Sequence, residues 1–139
     1  MRILILCFGV FFLLGCASSG YTPVTGNNSC VKKYDSKLKR NIYSYVDEFP
    51  EPPGGLGAFI KYVIRNRTID EKDIQVTLKF EIVIDADGAV IDEKILGKEP
   101  DAYTVADKEL LKMLHVMPKW KPGKCKGRKV SFRYPFRIS

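Results

Sequence analysis

The stretch Asp73-Ile74-Gln75-Val76-Thr77-Leu78-Lys79-Phe80-Glu81-Ile82-Val83-Ile84-Asp85-Ala86-Asp87-Gly88 decides the fold. Ile74, Val76, Leu78, Phe80, Ile82 and Ile84 recur at every second position, and Gln75, Thr77, Lys79 and Glu81 take the places between. A period of two sends the two sets to opposite sides of a pleated backbone, so Asp73 to Asp85 reads as a long half-buried strand. Asp85-Ala86-Asp87-Gly88 is a turn with glycine where positive φ is needed, and Ala89 to Leu96 is the returning strand of a hairpin.

Outward from this hairpin the period changes to that of a helix. Upstream, Leu56, Phe59, Ile60, Val63 and Ile64 share one helical face between Leu56 and Asn66, with Lys61 and Arg65 on the other side. Before them, Phe49-Pro50-Glu51-Pro52-Pro53-Gly54-Gly55 forces extended backbone and then releases it, which ends a short strand at Ile42 to Asp47. Downstream, Ala102, Val105, Ala106, Leu110, Met113, Leu114 and Met117 predict a helix from Ala102 to Val116 that Pro118 stops. Lys119-Trp120-Lys121-Pro122-Gly123 turns around the lone tryptophan, and Lys129 to Ile138 alternates again, with Val130, Phe132, Tyr134, Phe136 and Ile138 on one face. Strand, helix, hairpin, helix, strand is the order of an α+β domain over residues 42–139: a small antiparallel sheet with two helices packed on one face.

The amino terminus reads differently. Met1-Arg2 precedes twelve mostly apolar residues, Ile3 to Leu14. A membrane-spanning helix needs about 20 such residues, so this run fits the hydrophobic region of a secretion signal, residues 1–15. Leu13-Leu14-Gly15-Cys16 resembles the lipobox of bacterial lipoproteins. That resemblance implies cleavage before Cys16 and a diacylglycerol on its sulfur; the alternative is an ordinary signal peptide with a coincidental cysteine. Two acyl chains make a stable membrane anchor. Ala17, where aspartate would stand in proteins retained at the inner membrane, implies the outer membrane, facing the periplasm. Residues 16–41 are polar, carry Gly20, Pro23, Gly26, Asn27 and Asn28, and read as the lipidated cysteine and a tether.

Cys7 leaves with the signal and Cys16 takes the lipid, so Cys30 and Cys125 remain in an oxidising compartment. A disulfide between them closes a loop of about 95 residues, nominally worth about 4 to 5 kcal/mol; the alternative is two free thiols. Zinc is not expected, since His115 is the only histidine and no second cysteine pair exists. The formal net charge is +7, with Lys119, Lys121, Lys124, Lys126, Arg128, Lys129, Arg133 and Arg137 gathered late in the chain. Such a run suits anionic lipid headgroups or an acidic partner, or is simply solvated; nucleic acid is not expected as a partner of an exported chain.

Catalytic and cofactor chemistry is not expected. Asp85, Asp87 and Gly88 lack the third acidic position and the later glutamate of a calcium loop. Asp92 and Glu93 are neighbours on a strand and face opposite ways. Gly54-Gly55 is no phosphate loop, and His115 has no nucleophile pattern beside it. Trp120, flanked by prolines, reads as a core plug between helix and sheet rather than a ligand platform.

From Tyr45 to Ile138 the pattern resembles the carboxy-terminal domain of the TonB family, the energy transducers of outer-membrane transport. The strings that carry the resemblance are Phe49 to Gly55, Phe80 to Gly88, and Met117-Pro118-Lys119-Trp120-Lys121-Pro122-Gly123-Lys124, the last being the most specific. It implies a protein-binding module whose partner is an extended segment of an outer-membrane receptor or another envelope protein. The chain departs from TonB proper in having a lipobox in place of a spanning helix, a short tether without a proline-rich reach, and Asn66-Arg67-Thr68-Ile69-Asp70 where a Tyr-Pro segment is usual. A structural lipoprotein that binds peptidoglycan or an envelope assembly complex is the alternative. Pro135 has no N–H to give a neighbouring strand, so Lys129 to Ile138 is expected at a sheet edge, with Ser131, Arg133 and Arg137 offering backbone groups to an added peptide strand.

Overall fold

The computed structural model describes residues 30–68 and 77–139. The signal sequence, Cys16 and the Ile74 and Val76 end of the long strand lie outside the described residues. The elements run β1 (Val31–Asp35), β2 (Arg40–Tyr45), α1 (Gly55–Asn66), β3 (Leu78–Ile84), β4 (Val90–Ile95), α2 (Val105–His115), β5 (Gly123–Cys125), β6 (Arg128–Val130) and β7 (Phe132–Ile138). Five strands form one sheet in the order β1-β2-β7-β3-β4, and β5 and β6 form a separate hairpin. The fold is α+β.

β3 is the centre of the register. Phe80 pairs with Phe136 of β7 and Ile95 of β4, and Ile82 with Tyr134 and Glu93. The even-numbered residues of β3 and β7 therefore share a face. Phe59 and Val63 of α1 and Leu110 and Leu114 of α2 join Phe80, Ile82, Ile84, Phe136 and Ile138 in one buried cluster, so both helices cover that face. Aromatic rings dominate it: Phe59 lies 5.0 Å from both Trp120 and Phe136, and Phe80 stacks on Phe136 at 5.1 Å.

The helix boundaries follow local chemistry. α2 begins at Val105 rather than Ala102 because Thr104 caps it: the Thr104 hydroxyl accepts from the Asp107 N–H at 3.1 Å, and the Asp107 carboxylate accepts from the Thr104 N–H at 2.9 Å. Pro100 to Ala102 forms a 3-10 turn ahead of that cap, so Val105 falls outside the buried stripe and is 73% exposed. In α1 the buried stripe narrows to Phe59 and Val63, and Leu56 and Ile64 at its borders are exposed.

Two sequence expectations need correction. The tether does not extend to residue 41: the domain starts at Cys30, and Val31 to Tyr45 is an antiparallel hairpin added to the sheet. Lys-Lys-Tyr-Asp-Ser-Lys-Leu-Lys-Arg shows no period of two because β1 is an edge strand with four of its five residues exposed. The closing strand is also not continuous from Lys129. It breaks at Ser131, leaving Arg128 to Val130 to pair with β5 around a two-residue turn, Lys126-Gly127, in which both residues have positive φ.

Candidate functional site

The closing strand β7 was the expected binding edge, and its register fixes which backbone groups face outward. Pro135 lies opposite Glu81 and cannot donate to it, so Pro135 and its alternates Ser131, Arg133 and Arg137 direct their backbone away from β3. β7 is nevertheless the third strand of five. Tyr43 of β2 pairs in parallel with Phe132 and donates its N–H to the Ser131 carbonyl at 2.9 Å. The hairpin read as tether thus takes the first part of the expected edge. β2 then diverges: Val46 is buried, and the N–H groups of Asp47 and Glu48 both donate to the Lys124 carbonyl at 3.1 Å. Beyond this point the outward groups of Pro135 and Arg137 meet no strand among the described residues.

The three expected partner-binding residues therefore separate. Ser131 is buried and engaged by Tyr43. Arg133 is not available to an acidic peptide, because its guanidinium is clamped between Asp35 at 2.6 Å and Glu81 at 2.5 Å. Arg137 is exposed at the far end.

That clamp belongs to a wider ionic layer on the face opposite the helices. Lys94 reaches Glu81 at 3.2 Å, and Lys37 reaches Asp92 at 2.5 Å. Arg133 and Asp92 are the register partners of Val83 on either side, and Asp35 and Lys37 bind those same two residues. The β1–β2 turn consequently lies across Val83, which is 1% exposed. The Leu38 N–H, donating to the Asp35 carboxylate at 2.9 Å, and then Arg133 hold the Asp35 carboxyl below its ordinary value. The hydrogen bond to Asp92 raises Lys37 above its own.

The strings that carry the TonB resemblance meet around Trp120. Trp120 is buried, and its N–H donates to the Gly88 carbonyl at 2.8 Å. Glu51 and Lys121 exchange backbone hydrogen bonds at 3.0 and 2.9 Å. A Cβ on Gly88 would sit 1.9 Å from the Trp120 carbonyl oxygen, and one on Gly123 would sit 3.1 Å from the Pro50 ring. Both glycines are required by close approach, and Trp120 plugs the core. The Asp85 carboxylate accepts from the N–H groups of Asp87 and Ala89 at 2.8 and 3.1 Å, so it closes the hairpin turn.

Cys30 and Cys125 are joined by a disulfide, with their Cα atoms 6.1 Å apart. Asp47 lies beside them and accepts from the Lys126 N–H at 2.6 Å. These three form the one grouping of potential metal ligands among the described residues, and the disulfide takes both sulfurs out of it. His115 Nδ1 sits 3.2 Å from Glu93 on an exposed helix end. Comparison of the chain with protein-family models, curated proteins and solved structures returns no match. Sequence reasoning missed β1 and the Arg133 clamp; a signal for the former was present in Asp35 three residues before Leu38, the spacing of a side-chain-closed turn.

Proposed function

We propose that the chain is an envelope lipoprotein, anchored through Cys16 in the outer membrane and facing the periplasm, whose domain captures an extended segment of another envelope protein as an added strand. The TonB resemblance makes that segment the amino-terminal part of an outer-membrane receptor. The observation that supports this most is the half-open β7. An interior strand with firmly packed even-numbered side chains presents the Pro135 carbonyl and both backbone groups of Arg137 where its neighbour has turned away. Main-chain hydrogen bonds to such an edge give affinity, and alternate side chains of the guest give selectivity. Pro135 leaves one gap in the ladder, which limits indiscriminate pairing. Arg137 favours an acidic residue in the guest. Among the described residues no helix is long and apolar enough to cross a membrane, and attachment by lipid does not require one.

Titration of the domain with a receptor's extended amino-terminal segment, followed by amide chemical shifts, tests the reading. Shifts concentrated between Tyr134 and Ile138, weakened by Arg137→Glu, are expected. Shifts confined to the helices or to the Asp85–Gly88 turn defeat it.

A further inference from the structure

The disulfide fixes where the chain enters the domain, and what surrounds that point is unlike the rest of the surface. Cys30 is held at Cys125, beside the β5–β6 turn. Lys121, Lys126, Arg128 and Lys129 are exposed there and make no ion pair among the described residues. The acidic groups nearby are already engaged: Asp47 accepts the Lys126 N–H, and Glu48 pairs with Lys124 at 3.1 Å. Next to the basic side chains lies an apolar group. Val31 pairs with Tyr45, the Tyr45 ring sits 6.0 Å from Phe49, and the three are 54%, 43% and 50% exposed. Phe49 directly follows Glu48, whose backbone bridges Lys124, so the aromatic and basic groups are continuous.

We infer that this corner is the surface with which the domain lies against an anionic phospholipid membrane. The inference rests on the proposed lipid at Cys16. Only fourteen residues separate Cys16 from Cys30, and a chain of that length spans at most about 50 Å in any conformation. The disulfide therefore makes the β5–β6 corner the part of the domain closest, along the chain, to the bilayer. Unpaired lysine and arginine are attracted to anionic headgroups, and tyrosine and phenylalanine suit the headgroup boundary. A basic surface with an adjoining aromatic group fits a lipid interface better than an acidic polypeptide, which would leave Phe49 in water.

Vesicle binding of the full mature chain with Cys16→Ser measures the corner without the lipid. Sedimentation with phosphatidylcholine vesicles containing about one-third phosphatidylglycerol should show binding that weakens steeply between about 0.05 and 0.3 M salt. Lys121→Glu, Arg128→Glu and Lys129→Glu together should reduce it at least about 100-fold, at roughly fivefold per charge removed. Lys61→Glu, Lys79→Glu and Lys108→Glu together change the net charge equally elsewhere and should leave most of the binding. Equal loss in both triple variants, equal binding to pure phosphatidylcholine, or binding of the first triple variant as tight as the parent overturns the inference. Preferential capture of polyglutamate over the anionic vesicles does so as well. The anchor is tested apart from this, by fractionating cells that express the unaltered chain: its recovery in the soluble fraction refutes the lipid at Cys16 while leaving the vesicle result standing.

Discussion

On the helix-facing side of the sheet, Phe80, Ile82, Phe136 and Ile138 meet Phe59, Val63, Leu110, Leu114 and Trp120. On the opposite side, Arg133, Glu81, Asp35, Lys37 and Asp92 meet one another across Val83. The first face removes a large apolar area from water and is non-directional; the second orders a hairpin through a few charge-assisted hydrogen bonds of defined geometry. The two faces should therefore fail differently: the first by loss of the whole domain, the second by release of one element.

Truncation of the core sharpens the contrast most. Trp120→Ala should cost about 3 to 5 kcal/mol in chemical denaturation, since it empties the space between α1 and the sheet and frees the Gly88 turn packed on its backbone. Unchanged melting would make Trp120 a surface residue. Cys125→Ser should cost about 2 to 4 kcal/mol, less under reducing conditions, where the parent chain loses the same constraint. On the second face, Arg133→Ala should cost about 1.5 to 3 kcal/mol. Hydrogen exchange should then rise through β1 and β2 while the β3–β4 amides stay protected; equal acceleration in both would mean that the faces are one cooperative unit.

The smallest effect expected is at the α2 cap. Burial alone pushes the Asp107 carboxyl up, but the Lys98 ammonium at 2.7 Å and the Thr104 N–H and side chain outweigh it and hold the group below 3.8. A carboxyl depressed in the folded state stabilises it above the unfolded value and loses that contribution as pH falls through the folded one. Asp107→Asn should thus cost about 1 kcal/mol near neutral pH. That difference from the parent should shrink as pH falls below 3.8.

The same contrast explains what the sequence discloses. The apolar face was legible: Phe80, Ile82 and Ile84 alternate, Phe59 and Val63 recur at helical spacing, and these local periods are what folding buries. The ionic face was not, because Asp35 and Arg133 are 98 residues apart and either alone looks like a solvated charge. Without that pairing β1 reads as tether, and β7 then reads as an edge. The binding site was accordingly legible in part: Pro135 correctly marks a side of β7 with missing donors, while Ser131 and Arg133 are engaged by contacts from the amino-terminal hairpin.

The Cys30–Cys125 bond also sets how the domain carries mechanical load. Tension applied through the chain on the Cys16 side and at Ser139 passes across the bond, so the intervening loop, a sequence separation of 95, is bypassed. Only the segment after Cys125, which contains β6 and β7, can lengthen until the bond is reduced. Reduction would then release about 310 to 340 Å of additional contour length. A domain tied to a membrane in this way can be pulled without exposing its core.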